Sequence, residues 1–247
     1  MIIKTSCKID WSILIIIFIG IVYVMFPSIN NTNDSYMYAS DVREGIDLFY
    51  PHHLLYNAFN YLWTQLFNIN VTLKFLCFSN SIFAVGCLLC FRKILLKQLS
   101  QLDISYYILL VSSCWGFMRY ATDSETYIIP LFFSLLASCY SLYKKSFFIT
   151  SLLAGIACLF HQIHFFWWLG LGLLAFYESD RLKNILLYIG GALIVPITYI
   201  LVYLICNPMP ECDSIIQYIL HDYYFVEDVG FFLDKALLLT PVSFIRT

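Results

Sequence analysis

The chain has 247 residues, of which 61% are hydrophobic and 12% are charged, with a mean hydropathy of +0.78 and a net charge of −2. Soluble domains carry about 25% charged residues, so the composition argues against a soluble fold and predicts an integral membrane protein. The net charge of −2 gives no indication of nucleic-acid binding, so no nucleic-acid partner is expected. The nine cysteines show no metal-ligand spacing. The sequence therefore predicts no cofactor, although it leaves a divalent metal open.

Six apolar runs are candidates for membrane-spanning helices, each of which needs about 20 residues. They are 11–29, 71–91, 104–118, 126–143, 147–177 and 184–206. The run 147–177 is long for one span and short for two, and basic residues flank both of its ends. Because lysine and arginine favour the cytoplasmic side, both ends should face the cytoplasm, and the run should turn near His161–His164. The sequence thus predicts an all-α, multi-pass protein of about seven transmembrane helices, with a cytoplasmic N-terminus.

Three external segments follow from this topology: 30–70, 119–125 and the acidic loop 207–235. In the first, HHLLYNAFNYLWTQLF has a helical period with one apolar and one polar face, which predicts an amphipathic helix in the outer membrane interface. No soluble domain is evident, so 1–247 is expected to be a single membrane domain. The apolar tail after Lys235 is too short to span. Either it rests in the interface or the chain is a shortened version of a longer protein.

Asp34 follows the first apolar run and should lie close to the outer membrane surface. A carboxylate there can act as a general base towards a hydroxyl acceptor, but a solvated loop acid or a helix N-cap is an equally simple explanation. Arg119 offers a cation for a phosphate group, with a salt bridge to Asp123 or Glu125 as the alternative. His161 and His164 are either a metal pair or hydrogen-bonded residues at a helix end. Tyr36 is one of several outer tyrosines that either stack on a sugar or form an interfacial belt.

The order of these elements resembles the GT-C superfamily, whose members are polytopic glycosyltransferases that use sugars linked to lipid phosphates, such as the protein O-mannosyltransferases and the aminoarabinose transferases. The likeness lies in the first outer loop, which reads Asp-Ser-Tyr, then Ala, Gly and Pro-His-His-Leu-Leu-Tyr. The segments RYATDSETYIIPLFF and SLLAGIACLFHQIHFFWW follow in the expected order. The resemblance implies that Asp34 is the catalytic acid. It implies that Tyr36, His52, His53, Arg119, Glu125 and His161 bind or orient the substrate.

The resemblance therefore predicts transfer of a sugar from a polyprenyl-phosphate donor to a glycan, lipid or protein acceptor outside the bacterial cytoplasmic membrane, with membrane lipids as further partners. A surface-polysaccharide polymerase is an alternative, because Arg119-Tyr120, Asp123 and Tyr127 resemble the Arg, Asp and Tyr pattern of that group. A non-enzymatic transporter or assembly subunit is the other alternative. Transporters usually carry ionisable residues at mid-membrane depth, and the cores of the predicted spans contain almost none.

Overall fold

The computed structural model describes residues 10–70, 72–144, 146–206 and 208–221. Within these ranges the chain is helical and contains no strand. It divides into two units, Met1–Pro208 and Met209–Thr247, and every candidate site residue belongs to the first. The apolar tail after Lys235 and the greater part of the predicted acidic loop fall outside the described residues.

The first unit is a bundle of helices that differ widely in length. In chain order they are α1 (Trp11–Met25), α2 (Asn33–Glu44), α3 (Tyr56–Leu66), α4 (Thr72–Leu95), α5 (Gln101–Ser113), α6 (Trp115–Thr122), α7 (Ile128–Lys144), α8 (Phe147–Phe160), α9 (Phe165–Tyr177), α10 (Arg181–Ala192) and α11 (Ile194–Cys206). The described part of the second unit has one short helix, α12 (Ile215–Ile219).

Two stretches of described helix are long and apolar enough to cross a membrane. They are the 24 residues of α4 and the 26 residues Arg181–Cys206, in which α11 follows α10 after a single residue. Helices α1, α7, α8 and α9 are apolar but shorter. The predicted span 104–118 is interrupted, because α5 ends at Ser113 and α6 begins at Trp115. The prediction of helices is confirmed, whereas seven spans are not shown.

The long apolar run 147–177 is broken at the position that its basic flanks predict. His161 is extended, with φ −161° and ψ 121°, and ends α8. A 3-10 turn over Gln162–His164 then leads into α9. The indole nitrogen of Trp168 on α9 donates to Ser151 Oγ on α8 at 2.8 Å, so α9 folds back along α8. The chain therefore reverses at the histidines and brings His161 to the end of the bundle where the segment before α3 lies, since Leu55 N donates to the backbone oxygen of Leu159.

Helix α3 is amphipathic in the predicted way, but most of its polar face packs against the protein, together with Phe59 of the apolar face. Asn57, Asn60 and Thr64 are buried, whereas Leu62 and Leu66 are 55% and 63% exposed. In water these leucines would lie exposed on one side of the helix. Exposed apolar side chains along one side of an amphipathic helix are typical of a helix that lies in a membrane interface.

Helix α4 lies at the centre of the bundle, where it contacts α1, α2, α5, α6 and α7. Helix α8 packs against α7 on one side and α10 on the other. The α8–α10 contact is close because Gly191 faces the backbone of α8: a Cβ atom at this position would lie 2.9 Å from the amide nitrogen of Leu152. The central position of α4 matters for function, since its buried face supports the segment that carries Asp123 and Glu125.

Candidate functional site

Asp34 lies in the first turn of α2, and Thr32 is the residue that caps this helix. Thr32 Oγ1 accepts a hydrogen bond from the amide of Ser35 at 3.1 Å. The alternative in which Asp34 is itself the N-cap is therefore wrong, because the cap lies two residues earlier. The Asp34 side chain is exposed and forms no hydrogen bond or ion pair within the described part of the chain. A carboxylate in a first helical turn is stabilised by the helix dipole.

Two buried groups lie within electrostatic reach of the Asp34 carboxylate. Tyr38 stands one turn further along the same face of α2. Burial raises the pKa of the Tyr38 hydroxyl, and the charges of Asp34 and Glu125 raise it further. Burial also raises the pKa of Glu125, while Thr32 donates a hydrogen bond to this carboxyl group and opposes the shift. Asp123 and Asp34 add to the upward shift. Asp34 is thus the exposed member of a pair of acids whose other member, Glu125, is buried.

The segment that carries Glu125 is held by Asn80 on α4. Asn80 is fully buried, and its amide nitrogen donates to the backbone oxygens of both Asp123 and Glu125, at 2.7 Å each. These two carbonyl groups precede α7 and have no place in a helical hydrogen-bond ladder. Asn80 therefore supplies the partners that this non-helical segment needs, and it fixes the segment to the centre of the bundle.

Asp123 joins the same segment to the chain that precedes α2. Its Oδ1 atom accepts hydrogen bonds from Ser35 Oγ at 2.9 Å and from the side chain of Asn31. Its Oδ2 atom lies 2.8 Å from Arg119 Nη2. Arg119 also donates to Ser28 Oγ at 3.1 Å and to the backbone oxygen of Asn30. The salt bridge that the sequence offered as an alternative role for Arg119 is present, and 21% of the arginine side chain stays exposed.

The histidines form the other wall of the site. His53 is buried, with its Nε2 hydrogen-bonded to the Tyr38 hydroxyl at 3.2 Å, and its Nδ1 has no partner in the structure. Burial lowers the pKa of His53 to about 3, and His52, whose ring centre is 4.4 Å away, contributes to the shift. His53 is therefore neutral at physiological pH. His161 stacks on Tyr127 with ring centres 5.1 Å apart, and Tyr127 is within electrostatic reach of Asp34 and Glu125.

The structure brings together most of the residues that the sequence singled out, and we call Asp34, Tyr38, His53, Glu125 and His161 the Asp34 site. His52 packs against His53 at its edge. His161 is also the hydrogen-bonded helix-end residue of the simpler alternative, since its Nδ1 accepts from the amide of Ile163. Among the described residues no group of three or more potential ligands of the His, Cys, Asp or Glu type is placed to hold a metal ion.

Tyr36 is the one predicted site residue that lies elsewhere. Two positions along a helix correspond to a rotation of about 200°, so Tyr36 and Asp34 point to opposite sides of α2. Tyr36 lines a separate groove of about 450 Å³ between α2 and the start of α4, whose other lining residues are Ala39, Ser40, Arg43, Asn70, Thr72 and Leu73.

Sequence reasoning missed three residues that support the site, Thr32, Ser35 and Asn80, and it offered Asp123 only as a partner of Arg119 or as part of a polymerase-like pattern. Thr32 carried a local signal, because a threonine before a polar helical segment is a common N-cap. Asn80 carried no such signal, since its partners lie more than 40 positions away in the sequence. Comparisons with protein-family models, with curated proteins and with solved structures found no match.

Proposed function

We propose that this protein is an integral membrane glycosyltransferase that moves a sugar from a polyprenyl-phosphate donor to a hydroxyl group on the external side of the membrane. Insertion into a membrane is supported by the two long apolar helices and by the exposed leucines of α3. It is supported further by the many exposed large hydrophobic side chains on α1, α9 and α11. The N-terminus is proposed to be cytoplasmic, on the distribution of basic residues.

The observation that carries the proposal is the exposed, unpaired carboxylate of Asp34 on a rigidly capped helical turn, beside a buried acid and a neutral histidine. A general base must be accessible to the acceptor hydroxyl, and the Asp34 carboxylate is exposed on the first turn of a helix that Thr32 caps. Glu125, His53 and Tyr38 give the same site buried polar groups that favour a specific hydroxylated ligand.

In the proposed reaction, Asp34 takes the proton of the acceptor hydroxyl. The oxygen of that hydroxyl forms a bond to the anomeric carbon of the donor sugar. The bond between that carbon and the phosphate oxygen breaks, and polyprenyl phosphate leaves with the electron pair. The Asp34 proton then passes to water. No further reactant is required, since the activated glycosyl phosphate supplies the driving force.

We propose that Arg119 contacts the donor phosphate only through the exposed part of its side chain. Most of its donors are engaged by Asp123, Ser28 and Asn30, so a phosphate would bind beside an existing ion pair. Three acids, Asp34, Asp123 and Glu125, outnumber this one cation, which favours a neutral hydroxyl acceptor over an anionic one. His161 and Tyr127 offer a stacked pair of rings on which a sugar face can rest. We assign Tyr36 no role in transfer, because it faces the other side of α2.

The proposal is tested with purified protein in phosphatidylcholine vesicles, given radiolabelled hexoses or pentoses linked to polyprenyl phosphate. Glycan, lipid and protein fractions of the cell envelope serve as separate acceptor arms. We expect saturable binding of at least one donor and label transfer into one acceptor fraction, with release of polyprenyl phosphate. If no donor is bound and none is consumed in any arm, the protein is not this kind of transferase.

A further inference from the structure

A cluster of lysines lies at the end of α4 opposite the Asp34 site. Lys93 lies about 20 Å further along α4 than Asn80, at the rise of about 1.5 Å per residue of an α-helix. Lys97 follows just after the helix ends, and Lys144 is the last residue of α7. All three side chains are exposed. None of these three lysines belongs to the Asp34 site or is proposed to take part in glycosyl transfer.

Two of these lysines share one aromatic ring. The Nζ atoms of Lys93 and Lys97 lie 5.2 and 4.7 Å from the ring centre of Tyr143 on α7. The Tyr143 hydroxyl donates to the backbone oxygen of Lys93, and Lys97 Nζ donates to the backbone oxygen of Leu142. These contacts place the ring beside both ammonium groups. The two positive charges are consequently at most about 10 Å apart, a distance at which like charges repel.

Among the described residues, no carboxylate forms an ion pair with either of these lysines. The neighbouring Arg92 is neutralised by an ion pair with Asp10, and Asp103 is hydrogen-bonded to Ser100. An anion placed between two ammonium groups relieves their repulsion and accepts hydrogen bonds from both.

The surroundings of the cluster decide which anion fits. Leu96, Leu142 and Phe148 lie next to the lysines in the sequence and are 41%, 37% and 43% exposed. The cluster also marks the end of a helix that is long and apolar enough to cross a membrane. A phosphate that arrives with acyl chains would satisfy both the lysines and the apolar side chains, whereas a free phosphate would satisfy only the lysines.

We propose that Lys93, Lys97 and Tyr143 form a binding site for the headgroup of an anionic phospholipid. The phosphodiester bridges the two ammonium groups, and the acyl chains lie along the exposed apolar residues beside them. Lys144 adds to the local positive field. The site rests on insertion of the chain in a membrane and is independent of glycosyl transfer.

The test uses the purified full chain in neutral detergent micelles, titrated with dioleoylphosphatidylglycerol or, in parallel, with dioleoylphosphatidylcholine. The readout is the lipid fraction that gives half of the maximal rise in the thermal unfolding midpoint. We expect a saturable rise with the anionic lipid only. Each lysine near an anionic headgroup contributes about fivefold in affinity, so Lys93→Gln with Lys97→Gln should raise the half-saturating fraction about 25-fold.

Two control variants separate a built site from general charge attraction. Arg181→Gln with Lys183→Gln removes the same charge from the start of α10, and Lys93→Arg with Lys97→Arg keeps the charge at the site. Both should stay within about threefold of the wild-type protein. Should the double glutamine variant fail to fold, Tyr143→Leu, which keeps both lysines but removes the ring between them, is expected to weaken lipid binding about fivefold.

Four results would overturn the proposal. They are equal stabilisation by the neutral lipid, an unchanged half-saturating fraction in the lysine-to-glutamine or Tyr143 variant, an equal loss in the α10 control, and equal protection by inorganic phosphate. The last result would identify a site for a soluble anion.

Discussion

Replacing Asn80 by leucine is the sharpest test of how the Asp34 site is supported. The two side chains have similar volumes, so the change mainly removes the hydrogen bonds to the backbone oxygens of Asp123 and Glu125. Each buried carbonyl left without a partner costs about 1–3 kcal/mol. The change also removes Asn80 Oδ1, which is buried and has no partner of its own, and this recovers about 1–3 kcal/mol. The expected net loss of stability is about 1–3 kcal/mol.

Asn60→Leu is the matched control for this experiment. Asn60 is also fully buried and its Oδ1 also lacks a partner, but its amide donates only to the backbone oxygen of Tyr56 in its own helix. That oxygen belongs to the hydrogen-bond ladder of α3, so the control should be neutral or slightly stabilising. The assay is thermal unfolding in detergent micelles, where about 2–4 °C corresponds to 1 kcal/mol for a chain of this size. Equal midpoints for the two variants would refute the role given to Asn80.

Two further predictions concern other parts of the fold. Burial, with the charges of Asp47 and Glu44, raises the pKa of Asp41 to about 6. The folded protein therefore holds this proton more tightly than the unfolded chain, and stability falls as pH rises from about 4 to about 6. Asp41→Asn should raise stability by about 1–3 kcal/mol at pH 7.5 and by almost nothing at pH 4, and unfolding midpoints that show no gain at pH 7.5 would contradict this. Gly191→Ala should cost about 1–3 kcal/mol because α8 leaves no room for a Cβ atom. Gly190→Ala, where the nearest atom is 3.7 Å away, should be neutral or stabilising by up to about 1 kcal/mol, so similar unfolding midpoints for the two alanine variants would argue against the close α8–α10 contact.

Local patterns predicted the helices well. The apolar periodicity of 54–66 gave α3 and both of its faces, and the basic flanks of 147–177 located the break at His161. The helical period also separates Asp34 from Tyr36, although the resemblance to a known family grouped them. Helix lengths were less predictable, because α5 ends at Ser113 and α6 begins at Trp115 within one continuous apolar run.

The supporting network of the site was not predictable from one sequence. The salt bridge between Asp123 and Arg119 was one of the sequence alternatives, but the full burial of Asp123 and its bonds to Asn31 and Ser35, which lie in a different segment, were not predictable. Asn80 lies between two serines in an apolar run, and the sequence does not show which groups it contacts. Such contacts depend on which helices become neighbours, and periodicity within a single helix does not report this.

The turnover of Asp34→Asn shows whether Asp34 is the catalytic base. Asparagine keeps the shape of the side chain but cannot take a proton, and helix capping is unaffected because Thr32 caps α2. The account predicts normal membrane levels, retained donor binding and a loss of sugar transfer of about 10²-fold or more, which is the scale of a positioned base. Asp47→Asn, in the same acidic segment and likewise exposed, should stay within about threefold of the wild-type rate. Equal rates for Asp34→Asn and the wild-type protein would contradict the account.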